Sequence, residues 1–180
     1  MIIGLSGTLS SGKDTVAQYL IEKGYEHISL SDLIREEAKK RGMGVDRDSL
    51  RELGNILVGE KGEDALAKIA MERKKTDKLI ISSVRKPKEV DYLRSLPHFV
   101  MLFVDAPIEV RYQRMVSRAR AGDKTMTLQE LKEKEDMEMS GKSTQRLDYC
   151  KEHADYFINN ISNLDDLYSQ VNKILKEINA

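Results

Sequence analysis

The segment Gly7-Thr8-Leu9-Ser10-Ser11-Gly12-Lys13 constrains this chain more than any other. It follows directly on the apolar run Ile2 to Ser6 and opens a stretch in which Val16, Ala17, Leu20 and Ile21 make an apolar helical face. A glycine-rich loop between a strand and a helix N-terminus can wrap its backbone N–H groups around phosphate oxygens. A lysine at its end supplies a mobile cation for the β and γ phosphates. Gly7, Ser10, Ser11, Gly12 and Lys13 are therefore read as phosphate-binding residues. The residue after Lys13 is Asp14 rather than Ser or Thr, with Thr15 next. Asp14 has two readings: it helps hold Mg²⁺ through water, or it only complements the helix dipole. Thr15 places a hydroxyl on the α-phosphate side.

Composition removes several alternatives. At 180 residues, with 40% apolar and 33% charged residues, the chain is long enough for one domain with a core of its own and too apolar for disorder. Thirty Lys and Arg balance thirty Asp and Glu, so no global field draws it to nucleic acid or to a membrane surface, and any anion site is local. The lone Cys150 excludes a disulfide framework and a multi-cysteine metal site. With His27, His98 and His153 in unrelated contexts, it reads as structural. No apolar run nears the roughly 18 residues of a membrane span, and the start of the chain lacks a signal-peptide layout. The expectation is a cytoplasmic protein.

Short apolar runs alternate with helical stretches. Ile2 to Ser6, His27 to Leu30, Leu79 to Ser82, Phe99 to Val104 and Tyr156 to Asn159 read as strands, the third and fourth apolar without alternation, as in a sheet covered on both faces. Helices are expected over Lys13 to Lys23, Ser31 to Lys40, a pair across Asp48 to Lys74, Pro87 to Leu93, Pro107 to Arg120, Leu128 to Met139 and Asn163 to Ile178. Pro87 and Pro107 suit first-turn positions, and Gly24 and Gly42 suit helix C-termini. Strand and helix in alternation imply a parallel sheet between helical layers. A helical insert, about 31–75, and a polar stretch, about 118–143, depart from the alternation and read as candidate lids.

Several segments then carry a resemblance. Gly7 to Thr15 resembles the loop of adenylate kinases and related nucleoside monophosphate kinases, and its Gly-Lys-Asp form is similar to that of phage deoxynucleotide kinases and phosphomevalonate kinases. Ile28-Ser29-Leu30-Ser31-Asp32-Leu33-Ile34-Arg35 resembles the adenylate kinase segment that carries the acceptor nucleotide, which implies that Arg35 clamps the acceptor phosphate. Ser31 can cap this helix, with Arg35 one turn on. The plain alternative for Arg35 is a solvated helix arginine pairing within a turn. Asp32 lies where dephospho-coenzyme A kinases carry the aspartate that activates an acceptor hydroxyl; aligned with adenylate kinases it is an ordinary helix-start residue. In Leu79-Ile80-Ile81-Ser82-Ser83-Val84-Arg85-Lys86-Pro87 the resemblance makes Arg85 a second acceptor-binding arginine, while Ser82 or Ser83 stands where a carboxylate is usual. Asp14, Asp32 or Asp105 is left to substitute for it.

The segment Asp105 to Arg120 resembles the helix entering the lid of these kinases, where arginines four apart pack on the ATP base and hold its phosphates, implying Arg114 and Arg118. Arg111 on the same face is read as structural, Arg120 as reaching in from the lid. Residues 121–124 read as a hinge, with Lys132, Lys134, Lys142 and Arg146 as candidate lid cations. Over nearly its full length the chain resembles archaeal and bacterial proteins related to adenylate and dephospho-coenzyme A kinases.

The resemblance implies an α/β P-loop NTPase fold of three α/β/α layers, with a five-stranded parallel sheet in the order 2-3-1-4-5, an acceptor-binding insert and a lid. It further implies transfer of the γ-phosphate of Mg·ATP to a nucleoside or deoxynucleoside monophosphate. Lys13, Arg85, Arg118 and Asp32 are the catalytic candidates. ATP falls to the loop residues Gly7 to Thr15 with Arg114 and Arg118, the acceptor to Ser31, Arg35 and Arg85, and Mg²⁺ to Asp14. A small nucleotide-like acceptor is the expected partner, with no nucleic acid or membrane, in a monomer or weak dimer. The rivals are transfer to the ribose hydroxyl of dephospho-coenzyme A with Asp32 as base, and an ATP-binding switch or assembly factor with slow hydrolysis.

Overall fold

The computed structural model describes residues 1–118, 126–140 and 145–178. In chain order the elements are β1 (Ile2–Gly7), α1 (Lys13–Glu22), β2 (Glu26–Ser29), α2 (Leu30–Lys40), α3 (Arg47–Lys61), α4 (Ala65–Arg73) and β3 (Leu79–Ser82). They continue with α5 (Pro87–Arg94), β4 (Phe99–Asp105), α6 (Ile108–Arg118), α7 (Leu128–Met139), α8 (Leu147–Glu152), β5 (Tyr156–Asn159) and α9 (Leu164–Ile178). The five strands form one parallel sheet in the order β2-β3-β1-β4-β5, as expected.

β1 and β3 are buried along their whole length. A strand covered on both faces has no side on which polar residues gain by alternating, so neither shows a polar, apolar alternation. On one face Ile2, Leu79, Ile81, Met101 and Phe103 pack against Leu33 of α2, Ala67 and Ala70 of α4, Val90 and Leu93 of α5, and Cys150 of α8. On the other, Ile3, Leu5, Ile80, Leu102, Val104 and Ile158 meet Val16, Ala17 and Leu20 of α1 and Leu167, Val171 and Ile174 of α9. The segment α2 to α4 has a small core of its own in Ala38, Leu53, Leu57 and Ala65. Among the described residues no helix is long and apolar enough to cross a membrane.

Several boundaries differ from expectation, most by a single residue. Leu30 opens α2 instead of ending β2. The cap of α2 is Ser29, whose hydroxyl accepts the N–H of Asp32, so Ser31 lies inside the first turn. Pro107 precedes α6 and gives its carbonyl to the N–H of Arg111 at 3.1 Å. The short helix α8 was not expected: at 6 residues it is too brief for a periodic signal, and packing of Leu147 and Cys150 holds it. Gly24 and Gly42 do end α1 and α2.

Phe103, fully buried on β4, is among the largest core side chains, whereas Phe157 on the edge strand is 56% exposed. Phe103→Ala should cost about 3–5 kcal/mol in urea unfolding, and Phe157→Ala about 1 kcal/mol or less.

Candidate functional site: a phosphate-binding loop at the carboxyl edge of the sheet

β1 runs straight into the loop. Gly7 has φ 152, and a Cβ there would lie 2.2 Å from the carbonyl oxygen of Val104. Gly12, at φ 97, would drive a Cβ to 2.2 Å from Nδ2 of Asn160. Only glycine meets both the dihedrals and the closeness. Between them the loop's carbonyls are engaged. The Thr8 carbonyl accepts the Ser11 N–H, that of Leu9 accepts from Arg111 at 3.4 Å, that of Ser11 from Asn160 at 2.8 Å, and that of Gly12 from the N–H of Val16. With these four acceptors bonded to protein donors, the loop suits an anion nest that offers its N–H groups. Thr8 Oγ1 donates to Asp105 at 2.7 Å, which pins the loop to the end of β4.

Lys13 opens α1 and is buried, at 8% exposure. Burial pushes its ammonium below the usual lysine range; nearby Asp14 and Glu138 work against that shift, while Arg85 and Arg118 reinforce it. Four of the expected site residues, Lys13, Asp14, Arg85 and Arg118, thus share one electrostatic neighbourhood. Arg85 donates to Gln145 at 2.8 Å and faces Glu138 at 3.8 Å. Its backbone N–H and that of Lys86 donate to the buried Glu89, whose carboxyl burial pushes up against the pull of those bonds. Arg114 is lowered by burial and then by Arg118, and it donates to the carbonyl of Asn160 at 3.0 Å. Arg111, 2% exposed, is structural: it joins the Ala106 carbonyl, the loop and Glu135 of α7, the last at 2.6 Å. Among the described residues, the buried side-chain atoms Ser11 Oγ and Arg114 Nη1 have no hydrogen-bond partner. Ser11 is itself a loop residue, and Arg114 reaches the loop through Asn160.

The candidate acceptor residues lie at the ends of β2 and β3. Ser31 Oγ stands 3.0 Å from Ser29 Oγ and 3.5 Å from Ser83 Oγ. Arg35 is exposed on α2 and bonds the Ser31 carbonyl at 2.8 Å and Asp32 at 3.2 Å. At the position that lacks a carboxylate, Ser82 is buried and lies 2.8 Å from Nε2 of His27. The imidazole is lowered by desolvation, with Asp32 and then Asp14 opposing. Ser83 adopts φ 64, a left-handed conformation. Asp105 is committed to Thr8, the Ala106 N–H and Lys151. Asp14 is exposed on the first turn of α1, with Thr15 and Ser10 partly exposed beside it.

Of the candidate lid cations, Lys132 is exposed and Arg146 is spent on Asp148 at 2.7 Å. Arg120, the hinge at 121–124 and Lys142 lie outside the described residues. Asn160 and Glu138 escaped the sequence reading. Asn160 follows the last strand at the carboxyl edge of the sheet, where parallel sheets hold their ligands. Glu138 lies seven residues after the buried Leu131, two turns on along the same face.

A five-stranded parallel sheet in this order, carrying a braced glycine loop with a buried lysine, defines a P-loop kinase-like, nucleotide-binding fold. The chain belongs to the AAA domain family, whose profile matches residues 4–132, and to the UPF0200 proteins. A UPF0200 protein of Pyrococcus abyssi is 35% identical over 131 residues, covering 68% of this chain and 70% of that one. One from Sulfurisphaera tokodaii is 28% identical over 98% of this chain and 97% of its own length. A UPF0200/UPF0201 protein of Archaeoglobus fulgidus is 28% identical over 98% of this chain, which spans about half, 55%, of that relative. Among solved structures, a shikimate kinase from Bacteroides thetaiotaomicron shares the fold at TM-score 0.65 and 16% identity, covering 100% of this chain and 99% of that one. TT1252 from Thermus thermophilus does so at TM-score 0.62 and 23% identity, covering 98% and 97%.

The Cys150 thiol is buried and bonded to the Val84 carbonyl, and burial pushes it up to about 12. An ordinary thiol ionises near 8.5, so at pH 8.5 the native protein should resist a disulfide reagent that labels Cys150 fully in denaturant. Rapid native labelling would contradict a structural role. Gly12→Ala should abolish nucleotide binding while leaving most of the fold intact by circular dichroism.

Proposed function

We propose that the chain is a phosphotransferase that moves the γ-phosphoryl group of Mg·ATP to a nucleoside or deoxynucleoside monophosphate. The observation that carries this reading is that Arg85 and Arg118 both act electrostatically on the buried Lys13 of the braced loop, with the Ser29, Ser31 and Ser83 hydroxyls and Arg35 at the neighbouring strand ends. Phosphoryl transfer asks little covalent chemistry of a protein. It asks for positioning and for positive charge where negative charge spreads over several oxygens.

In this reading the N–H groups of the loop and Lys13 hold the β and γ phosphates, and the unsatisfied Ser11 Oγ and Arg114 Nη1 find partners on the nucleotide. Mg²⁺ neutralises phosphate charge when bound, and Asp14 would hold it through water. Arg85 and Arg35 fix the acceptor phosphate. Its oxygen forms the new bond to the γ phosphorus as the β,γ-bridging oxygen departs on ADP with the bonding electrons. Arg118 and Arg114 stabilise the group in transit, and residues of the 118–143 lid exclude water. A monophosphate acceptor brings its own nucleophilic oxygen and needs no strong base.

ADP formation from Mg·ATP against a panel of ribo- and deoxynucleoside monophosphates plus dephospho-coenzyme A tests the proposal. One monophosphate should stimulate turnover, with a loss of about a hundredfold or more in Lys13→Ala. Arg35→Ala should raise the KM for that acceptor more than it lowers kcat. ATP hydrolysis indifferent to every acceptor would replace the kinase with a switch or assembly factor, and stimulation by dephospho-coenzyme A alone would move the acceptor to a hydroxyl.

A further inference from the structure

Helix α7 meets the rest of the protein in an unusual way. Its buried residues are Leu131 and Glu138, while Lys132, Glu133, Asp136 and Met137 are exposed. Two of its carboxylates face arginines. Glu135 grips Arg111 at 2.6 Å, and Glu138, 7% exposed, points at Arg85 from 3.8 Å. Glu138 also acts electrostatically on Lys13, although the two are 125 positions apart in the chain. Burying a carboxylate is costly unless cations accompany it, and Arg85 at 3.8 Å is such a cation, with Lys13 within the electrostatic reach of Glu138.

They are also the cations assigned to phosphate. A phosphate group arriving between Lys13 and Arg85 meets a resident anion, and two anions do not share one pair of cations in a desolvated site without strong repulsion. We infer that Glu138 is a stand-in for phosphate: its carboxylate compensates Arg85 within electrostatic reach of Lys13, and a polyphosphate displaces it, releasing its hold on α7. The helix is thereby coupled to occupancy of the loop, with Glu135 and Arg111 as the pivot that keeps it attached.

The inference rests on the reading of Lys13 and Arg85 as phosphate ligands, and its test separates the two. Inorganic tripolyphosphate and magnesium-free ATP are titrated calorimetrically into the wild type, Glu138→Gln, Glu133→Gln and Lys13→Ala. Hydrogen exchange is followed over residues 128–139. Glu138→Gln, which keeps the shape and removes the competing charge, should bind tripolyphosphate about tenfold more tightly than wild type. Glu133→Gln, on the exposed face of the same helix, should bind as wild type does. In the wild type, which needs no variant to fold, saturating tripolyphosphate should speed exchange in α7; in Glu138→Gln exchange should be fast from the start and unmoved by ligand. Equal or weaker binding by Glu138→Gln, or wild-type α7 unmoved on binding, would overturn the stand-in while Lys13-dependent ATP binding kept the phosphate site. Absence of binding to wild type and Glu138→Gln alike would overturn both.

Discussion

Everything at the site depends on how closely β1 can approach β4 at Gly7. The α-carbon of Gly7 faces the Val104 carbonyl with no room for a Cβ, and the register Gly7↔Val104 is the last rung of the pairing between the two strands. A side chain there either pries the strands apart or turns the chain, and either change moves the loop and Lys13 with it. Because the sheet is parallel, the same edge gathers the ends of every other strand: Ser29, Ser82 and Ser83, Asp105, and Asn160. Five distant pieces of sequence therefore converge without any one of them having to reach far.

Convergence alone leaves a floppy loop, and the structure adds braces. Asn160 holds the Ser11 carbonyl from one side and Arg111 the Leu9 carbonyl from another, while Asp105 takes the Thr8 hydroxyl. Each brace engages an oxygen or hydroxyl and leaves backbone N–H groups facing the site. The preorganisation that an anion needs is built from outside the loop. Arg114 extends the chain of contacts, since it reaches Asn160 and sits beside Arg118.

The neutral net charge of the chain hides a polarised interior. Lys13, Arg85, Arg114 and Arg118 crowd one edge of the sheet, and Lys13 and Arg114 both lie below their ordinary pKa because burial disfavours their charged forms. A buried cation is costly to the fold unless an anion accompanies it. Glu138 and Asp14 play that part for Lys13, as Glu135 does for Arg111. The local field that a phosphate ligand would use is thus already accompanied by carboxylates of the chain.

The parts of this arrangement legible in the sequence are those coded locally. Leu79 to Ser82 and Leu128 to Met139 are an apolar run and a helix whose bounds match expectation to the residue, and the loop announces itself through Gly7, Gly12 and Lys13. Asn160 and Glu138 were not legible, because each acquires its role only when the chain folds back across more than fifty positions, to Ser11 and to Arg85. The cap of α2 went to Ser29 rather than Ser31 because Leu30 turns its side chain into the core and so begins the helix a residue early. The central claim, that the loop of residues 7–13 holds a triphosphate on its backbone N–H groups, is tested most directly by nuclear magnetic resonance of the amides during a titration with Mg·ATP. The account requires saturable shifts concentrated in residues 8–15 and at Asn160; saturable binding that moves amides elsewhere and leaves these unchanged would contradict it.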